Sequence, residues 1–115
     1  MSHNGITQLS VTSLAGFSTL TYLTLAYNAI SVINLDAFTQ LTALTYLILS
    51  NNNIKALPLS VFSAQTALAY LDLDTNYLTV IPAGFFNTQT ALTFLFALHF
   101  TAPRGMTLTR TAQGY

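Results

Sequence analysis

Leu20-Thr-Tyr-Leu23-Thr-Leu25-Ala-Tyr-Asn28 returns as Leu44-Thr-Tyr-Leu47-Ile-Leu49-Ser-Asn-Asn52, and again as Leu68-Ala-Tyr-Leu71-Asp-Leu73-Asp-Thr-Asn76. Both steps are 24 residues, whether measured on the first leucine or on the closing asparagine. A fixed period in this range marks a solenoid, in which each unit carries an apolar face that only its neighbours can bury. The repeat therefore constrains the fold before any single residue does. It also sorts side chains into columns, one residue per unit, that must share an environment.

Counted from the first leucine of each 24-residue unit, apolar residues fill positions 1, 4, 6, 11, 14, 16, 19 and 22. The first full unit supplies Leu20, Leu23, Leu25, Ile30, Ile33, Leu35, Phe38 and Leu41. The second has Gln65, and the third Gln89, where Leu41 leads one to expect leucine. Asn4, Ile6, Leu9, Val11, Leu14 and Phe17 fit the same frame as an N-terminal partial unit. Positions 3 to 7 alternate, as a half-buried strand does, and a constant period stacks such strands in parallel. Asn28, Asn52 and Asn76 close the strands, and their amides are expected to form a ladder to loop backbone groups that lack a sheet partner. Pro58 and Pro82 share a turn position, and Phe38, Phe62 and Phe86 share a column expected to stack as an aromatic spine.

Composition narrows the function classes. The 115 residues are 52% hydrophobic and 5% charged, an unusual mixture for a soluble globule. The formal net charge is zero, so no electrostatic footprint for nucleic acid or an anionic membrane is present. With no cysteine, disulfide frameworks, thiolate nucleophiles and cysteine-ligated zinc are all excluded. The longest apolar run, Phe94 to Leu98, is far too short to span a bilayer. No signal-peptide pattern and no glycosylation sequon occur, so the sequence carries no address of its own. No phosphate loop, metal-ligand cluster or nucleophile motif is found, and neither cofactor nor catalysis is expected.

The pattern L-x-x-L-x-L-x-x-N-x-I/L-x-x-I/L-P-x-x-x-F resembles the leucine-rich repeat family in its 24-residue, extracellular-type subclass, over roughly residues 4 to 96. The resemblance implies an α/β-type repeat solenoid: a right-handed coil with a short parallel sheet on its concave face and a mostly irregular convex side. It further implies a module that binds a protein or peptide, and the extracellular or cell-surface placement of that subclass. The expected division is a partial repeat over 1–19, full repeats over 20–43, 44–67 and 68–91, a degenerate fourth over 92–100 and a non-repeat tail over 101–115.

In the fourth unit Ala97 stands where a leucine is expected and Phe100 where the asparagine should be. The following segment is open to three readings: a degenerate cap, a disordered end, or the result of truncation, the last two being preferred. Exterior members of the family usually carry cysteine-rich caps, and neither end of this chain has one. The chain is accordingly expected to be a piece of a longer solenoid or a marginal one. Uncapped ends rich in Leu92, Phe94, Leu95, Phe96 and Phe100 invite self-association.

Three columns are expected on the exposed face of the sheet. Position 3 provides Tyr22, Tyr46, Tyr70 and Phe94; position 5 provides Thr24, Ile48, Asp72 and Phe96; position 7 includes Ser50 and Asp74. Aromatic residues on an exposed concave surface are the types that dominate binding hot spots, although adjacent rings also shield one another and stiffen a sheet. These ten residues form the expected partner-binding face. Asp72 and Asp74 project from one strand, roughly 7 Å apart by strand geometry. As a pair they suit a solvated acidic spot far better than a calcium site or an acid–base couple, because no further carboxylate or histidine joins them. Alternatives to partner binding are a structural spacer and, more remotely, a carboxylate-based enzyme.

Overall fold

The computed structural model describes residues 3–78, 81 and 84–96. Among these residues six short strands follow in chain order: β1 (Gln8–Leu9), β2 (Tyr22–Thr24), β3 (Val32–Ile33), β4 (Tyr46–Ile48), β5 (Tyr70–Asp72) and β6 (Phe94–Phe96). Four of them make one parallel sheet in the order β2-β4-β5-β6. Its register follows the sequence period: Tyr22 pairs with Tyr46, Tyr46 with Tyr70 and Tyr70 with Phe94. The central residues of these strands, Leu23, Leu47, Leu71 and Leu95, all point inward and are buried. Each such leucine contributes about 1.5–3 kcal/mol by leaving water. A register slip of one residue would turn the whole column outward, so the leucines fix the pairing.

Backbone bonds define where each strand begins. The N–H groups of Thr45 and Tyr46 both donate to the Thr21 carbonyl, those of Ala69 and Tyr70 to Thr45, and those of Thr93 and Phe94 to Ala69. The Thr45 and Thr93 hydroxyls add a third donor to the Thr21 and Ala69 carbonyls, at 3.0 and 3.1 Å. Where Ala69 occupies the threonine position, that extra bond is missing from the Thr45 carbonyl.

The asparagine ladder forms as its spacing requires. Asn52 Nδ2 donates to the carbonyls of Leu25, Leu49 and Ser50, and its Oδ1 accepts from the Ile30 N–H at 3.0 Å. Asn76 repeats this one coil later, with donation to Leu49, Leu73 and Asp74 and acceptance from the Ile54 N–H. Asn28 Oδ1 accepts from the N–H groups of Asn4 and Ile6. Thus Leu25 O and Leu49 O each accept from two asparagines, one of their own coil and one of the next. The residue before each asparagine adopts left-handed backbone: Tyr27, Asn51 and Thr75 have φ of 57°, 59° and 53°.

The other side of the coil departs from expectation in three respects. First, the aromatic spine changes column. Phe38 and Phe62 pack with centroids 5.6 Å apart, but the next ring against Phe62 is Phe85, edge-on at 5.9 Å. Phe85 occupies the column of Ala37 and Val61, both buried; being larger, it reaches the Phe62 ring itself. Phe86, the expected member, is only partly buried and sits edge-on against Phe85. Second, Leu35 and Leu59 at position 16 are 56% and 57% exposed rather than core residues, and Phe17 is exposed as well. Third, Gln65 and Gln89, which stand where leucine is expected, are buried polar residues. Gln65 Nε2 donates to the carbonyls of Phe38 and Leu41, and Gln89 Nε2 to that of Phe62 and to the Thr88 hydroxyl.

A second sheet, absent from the sequence reading, pairs β1 with β3 in parallel. Beside it the Asn34 N–H donates to the Leu9 carbonyl at 2.9 Å. Pro58 holds the same position one coil later and has no N–H to offer Ile33. Among the described residues this sheet ends at β3, and a shallow groove of about 370 Å³ opens between Ser31–Ile33 and Lys55–Pro58.

Candidate partner-binding face

Strand pairing brings the position-3 residues into one column on the outer face of the four-stranded sheet. Ring centroids step 5.9 Å from Tyr22 to Tyr46, 5.0 Å to Tyr70 and 5.9 Å to Phe94, with interplanar angles of 29°, 14° and 40°. The first two pairs are stacked and the third is tilted, and such aromatic pairs add about 0.5–1.5 kcal/mol each beyond area burial. The ring faces are therefore largely taken up by one another, while edges and phenol hydroxyls meet solvent. Tyr22, Tyr46 and Phe94 are exposed and Tyr70 is half-buried. Burial, followed by the nearby Asp72 carboxylate, raises the pKa of the Tyr70 hydroxyl.

Position 5 lies beside this column. Thr24, Ile48, Asp72 and Phe96 are each half-buried. The Phe96 ring tilts toward Tyr70 with centroids 5.6 Å apart. Asp72 Oδ1 accepts the Asp74 N–H at 2.9 Å, so the expected pair of projecting carboxylates is closed into a turn. Desolvation raises the Asp72 pKa; the bonds from the Asp74 backbone and the Ser50 hydroxyl oppose that shift, and the Asp74 charge adds to it. Thr24 Oγ1 accepts the Ala26 N–H in the corresponding place on β2.

Position 7 requires a correction. Ser50, expected on the binding face, is 7% exposed and hydrogen-bonded to Asp72, and Ala26 in the same column is buried too. The chain has by then begun to turn from strand into loop, and the column sinks beneath its neighbours. Asp74 alone of the column remains half-buried rather than buried among the described residues. Of the two histidines, His3 stacks on Tyr27 with centroids 4.9 Å apart, and its backbone N–H donates to the Tyr27 carbonyl. His99 lies outside the described residues, as do Ala97, Leu98, Phe100 and the tail over 101–115. Among the described residues no group of three or more His, Cys, Asp or Glu gathers where it could hold a metal ion, and no helix is long and apolar enough to cross a membrane.

A stack of short parallel strands, closed by an asparagine ladder and displaying ordered columns on one face, defines a solenoid of the leucine-rich type. The Leucine rich repeat family model matches residues 1–54 and 42–99, and the chain belongs to that family, a repeat module commonly used for protein binding. The crystal structure of the leucine-rich repeat domain of APL1B is similar to it, with a TM-score of 0.81 and 25% sequence identity. That similarity covers 89% of this chain and 31% of the other, so this chain spans about a third of the length of that structure. In all, 91 chains of solved structures match, so the fold is widely shared and names no partner by itself. No curated protein matches the sequence.

Proposed function

We propose that the concave sheet binds a protein or peptide partner across the column Tyr22, Tyr46, Tyr70 and Phe94. The observation that supports this is the unbroken aromatic column on an outward face of a family commonly used for protein binding. Ring edges and hydroxyls offer apolar contact and hydrogen bonding from a surface that is already rigid, so little side-chain entropy is lost on binding. Thr24, Ile48 and Phe96 extend the apolar area, and Asp72 and Asp74 add the charge on the face.

A spacer role without a ligand is the second reading, favoured by the close stacking of Tyr46 on Tyr70, which occupies ring surface a partner would otherwise use. Selection of a displayed peptide library on the immobilised chain separates the two. Binding peptides are expected to lose affinity at least tenfold with Tyr46→Ala or Tyr70→Ala in proteins whose circular dichroism remains that of the parent. Binders that tolerate both changes, or that map to the exposed Leu35 and Leu59, would place recognition elsewhere.

A further inference from the structure

Position 5 is apolar or neutral on three strands: Thr24 on β2, Ile48 on β4 and Phe96 on β6. On β5 it is Asp72, paired with Ile48 on one side and Phe96 on the other. Tyr70, two residues earlier on the same face, closes a third side, its ring 5.6 Å from that of Phe96. Asp74 follows as a second carboxylate. The result is a half-buried carboxylate with aromatic and aliphatic walls, on the accessible face of the sheet. Among the described residues no cation stands among the groups that act on it.

We propose that Asp72, walled by Tyr70 and Phe96 and backed by Asp74, is the seat for an arginine side chain of the bound segment. The proposal rests on the concave-face reading above and names the partner's chemistry. A carboxylate that is partly removed from water favours a counter-charge that sheds its own water easily. Guanidinium is more weakly hydrated than ammonium, is planar, and pairs with carboxylate while stacking on rings. A group over Asp72 would lie within the roughly 6 Å range in which an aromatic ring attracts a cation, since neighbouring strands are about 4.8 Å apart. A calcium ion fits less well, because it asks for about 6–8 oxygen ligands and Asp72 Oδ1 already accepts the Asp74 N–H. Burial raises the pKa of Asp72, and a guanidinium seated beside it would favour the charged form again.

The test uses the full chain and three blocked six-residue probes of alternating sequence: leucine–arginine, leucine–lysine and leucine–citrulline, the last being an uncharged analogue of the arginine probe. Dissociation constants are measured by calorimetry. The arginine probe is expected to bind at least tenfold more tightly than the citrulline probe, with the lysine probe between them. Asp72→Asn, which keeps an oxygen for the Asp74 N–H, is expected to abolish that preference, and Tyr46→Ala to weaken all three probes. Equal binding of arginine and citrulline probes, survival of the preference in Asp72→Asn, or no binding at millimolar concentration overturns the arginine seat. If equal binding is still lost with Tyr46→Ala, the concave-face reading stands while the seat falls; if Tyr46→Ala changes nothing, both fall. Much tighter probe binding when Arg104→Gln and Arg110→Gln are combined would make this chain's own arginine the occupant, and would overturn a partner segment in that place.

Discussion

Gln65 stands where Leu41 stands one coil earlier, and its side-chain amide donates to the Leu41 carbonyl at 3.1 Å. Both acceptors of this amide have a second donor. Leu41 O also accepts the Leu44 N–H, and Phe38 O, the other acceptor, also accepts the Leu41 N–H. Meanwhile Gln65 Oε1 is buried with no hydrogen-bond partner, which costs about 1–3 kcal/mol. Gln65→Leu is therefore expected to be neutral or stabilising, by up to about 2 kcal/mol, since it removes the orphan while both carbonyls keep a partner. Urea unfolding curves check this; a loss of more than about 1 kcal/mol would show that the amide, not the volume, holds the coils in register.

Asn52 lacks such redundancy at its oxygen. Ile30 N–H has Oδ1 as its partner, and the Ser50 carbonyl accepts from Nδ2 inside the turn. The Ser50 carbonyl keeps the Tyr27 N–H at 3.1 Å, so Asn52→Ala should cost about 1–3 kcal/mol, mainly from the orphaned Ile30 N–H. Leu25 O and Leu49 O are partly rescued by Asn28 and Asn76, which keeps the cost below that of a ladder wholly removed. The same urea titration decides it.

Thr75 is the least suited of the three left-handed residues, since β-branched side chains are crowded at positive φ. Asn51 meets the same demand with a side chain that tolerates it. Thr75→Asn is expected to raise stability by about 1 kcal/mol, read as a higher melting temperature. A lower melting temperature would mean that the threonine makes a compensating contact.

Asp72 yields a pH signature. Desolvation raises its pKa from 3.8 in the folded state, so the native chain holds this proton more tightly than the unfolded one. Stability from this group is highest at low pH and is lost as pH rises from about 3.8 through the raised value, where the unfolded state is the more ionised. Asp72→Asn should melt higher than the parent at pH 7, with the difference shrinking as pH falls through the raised value and vanishing below 3.8. A parallel offset across the whole range would mean that the charge is not the cause.

Much of this was legible in the repeat. The core leucines, the parallel register, the asparagine ladder and the tyrosine column all follow from one period, because each is a demand made identically of every coil. The misreadings share a cause as well. Phe86 was aligned with Phe38 and Phe62, but Phe85 fills the spine, since a larger side chain one column over reaches the same space. Leu35 and Leu59 look like core residues by type and by period, yet both are exposed. Ser50 belongs by alternation to the exposed face, yet the strand ends before reaching it. The glutamines looked like lapses in an apolar column; only the position of the Phe38 and Leu41 carbonyls reveals what a buried amide does there.

The sequence alone determined that the chain coils, how long each coil is, and which residues look inward from the concave sheet. Periodicity can do this because burial between identical neighbours is a local rule repeated. Only the tertiary structure decided how deep each outward side chain sits, that the second sheet stops at β3, and that Asp72 lies between Tyr70 and Phe96. Those facts depend on which coil packs against which and on how much room each side chain leaves its neighbour, and no single period encodes that.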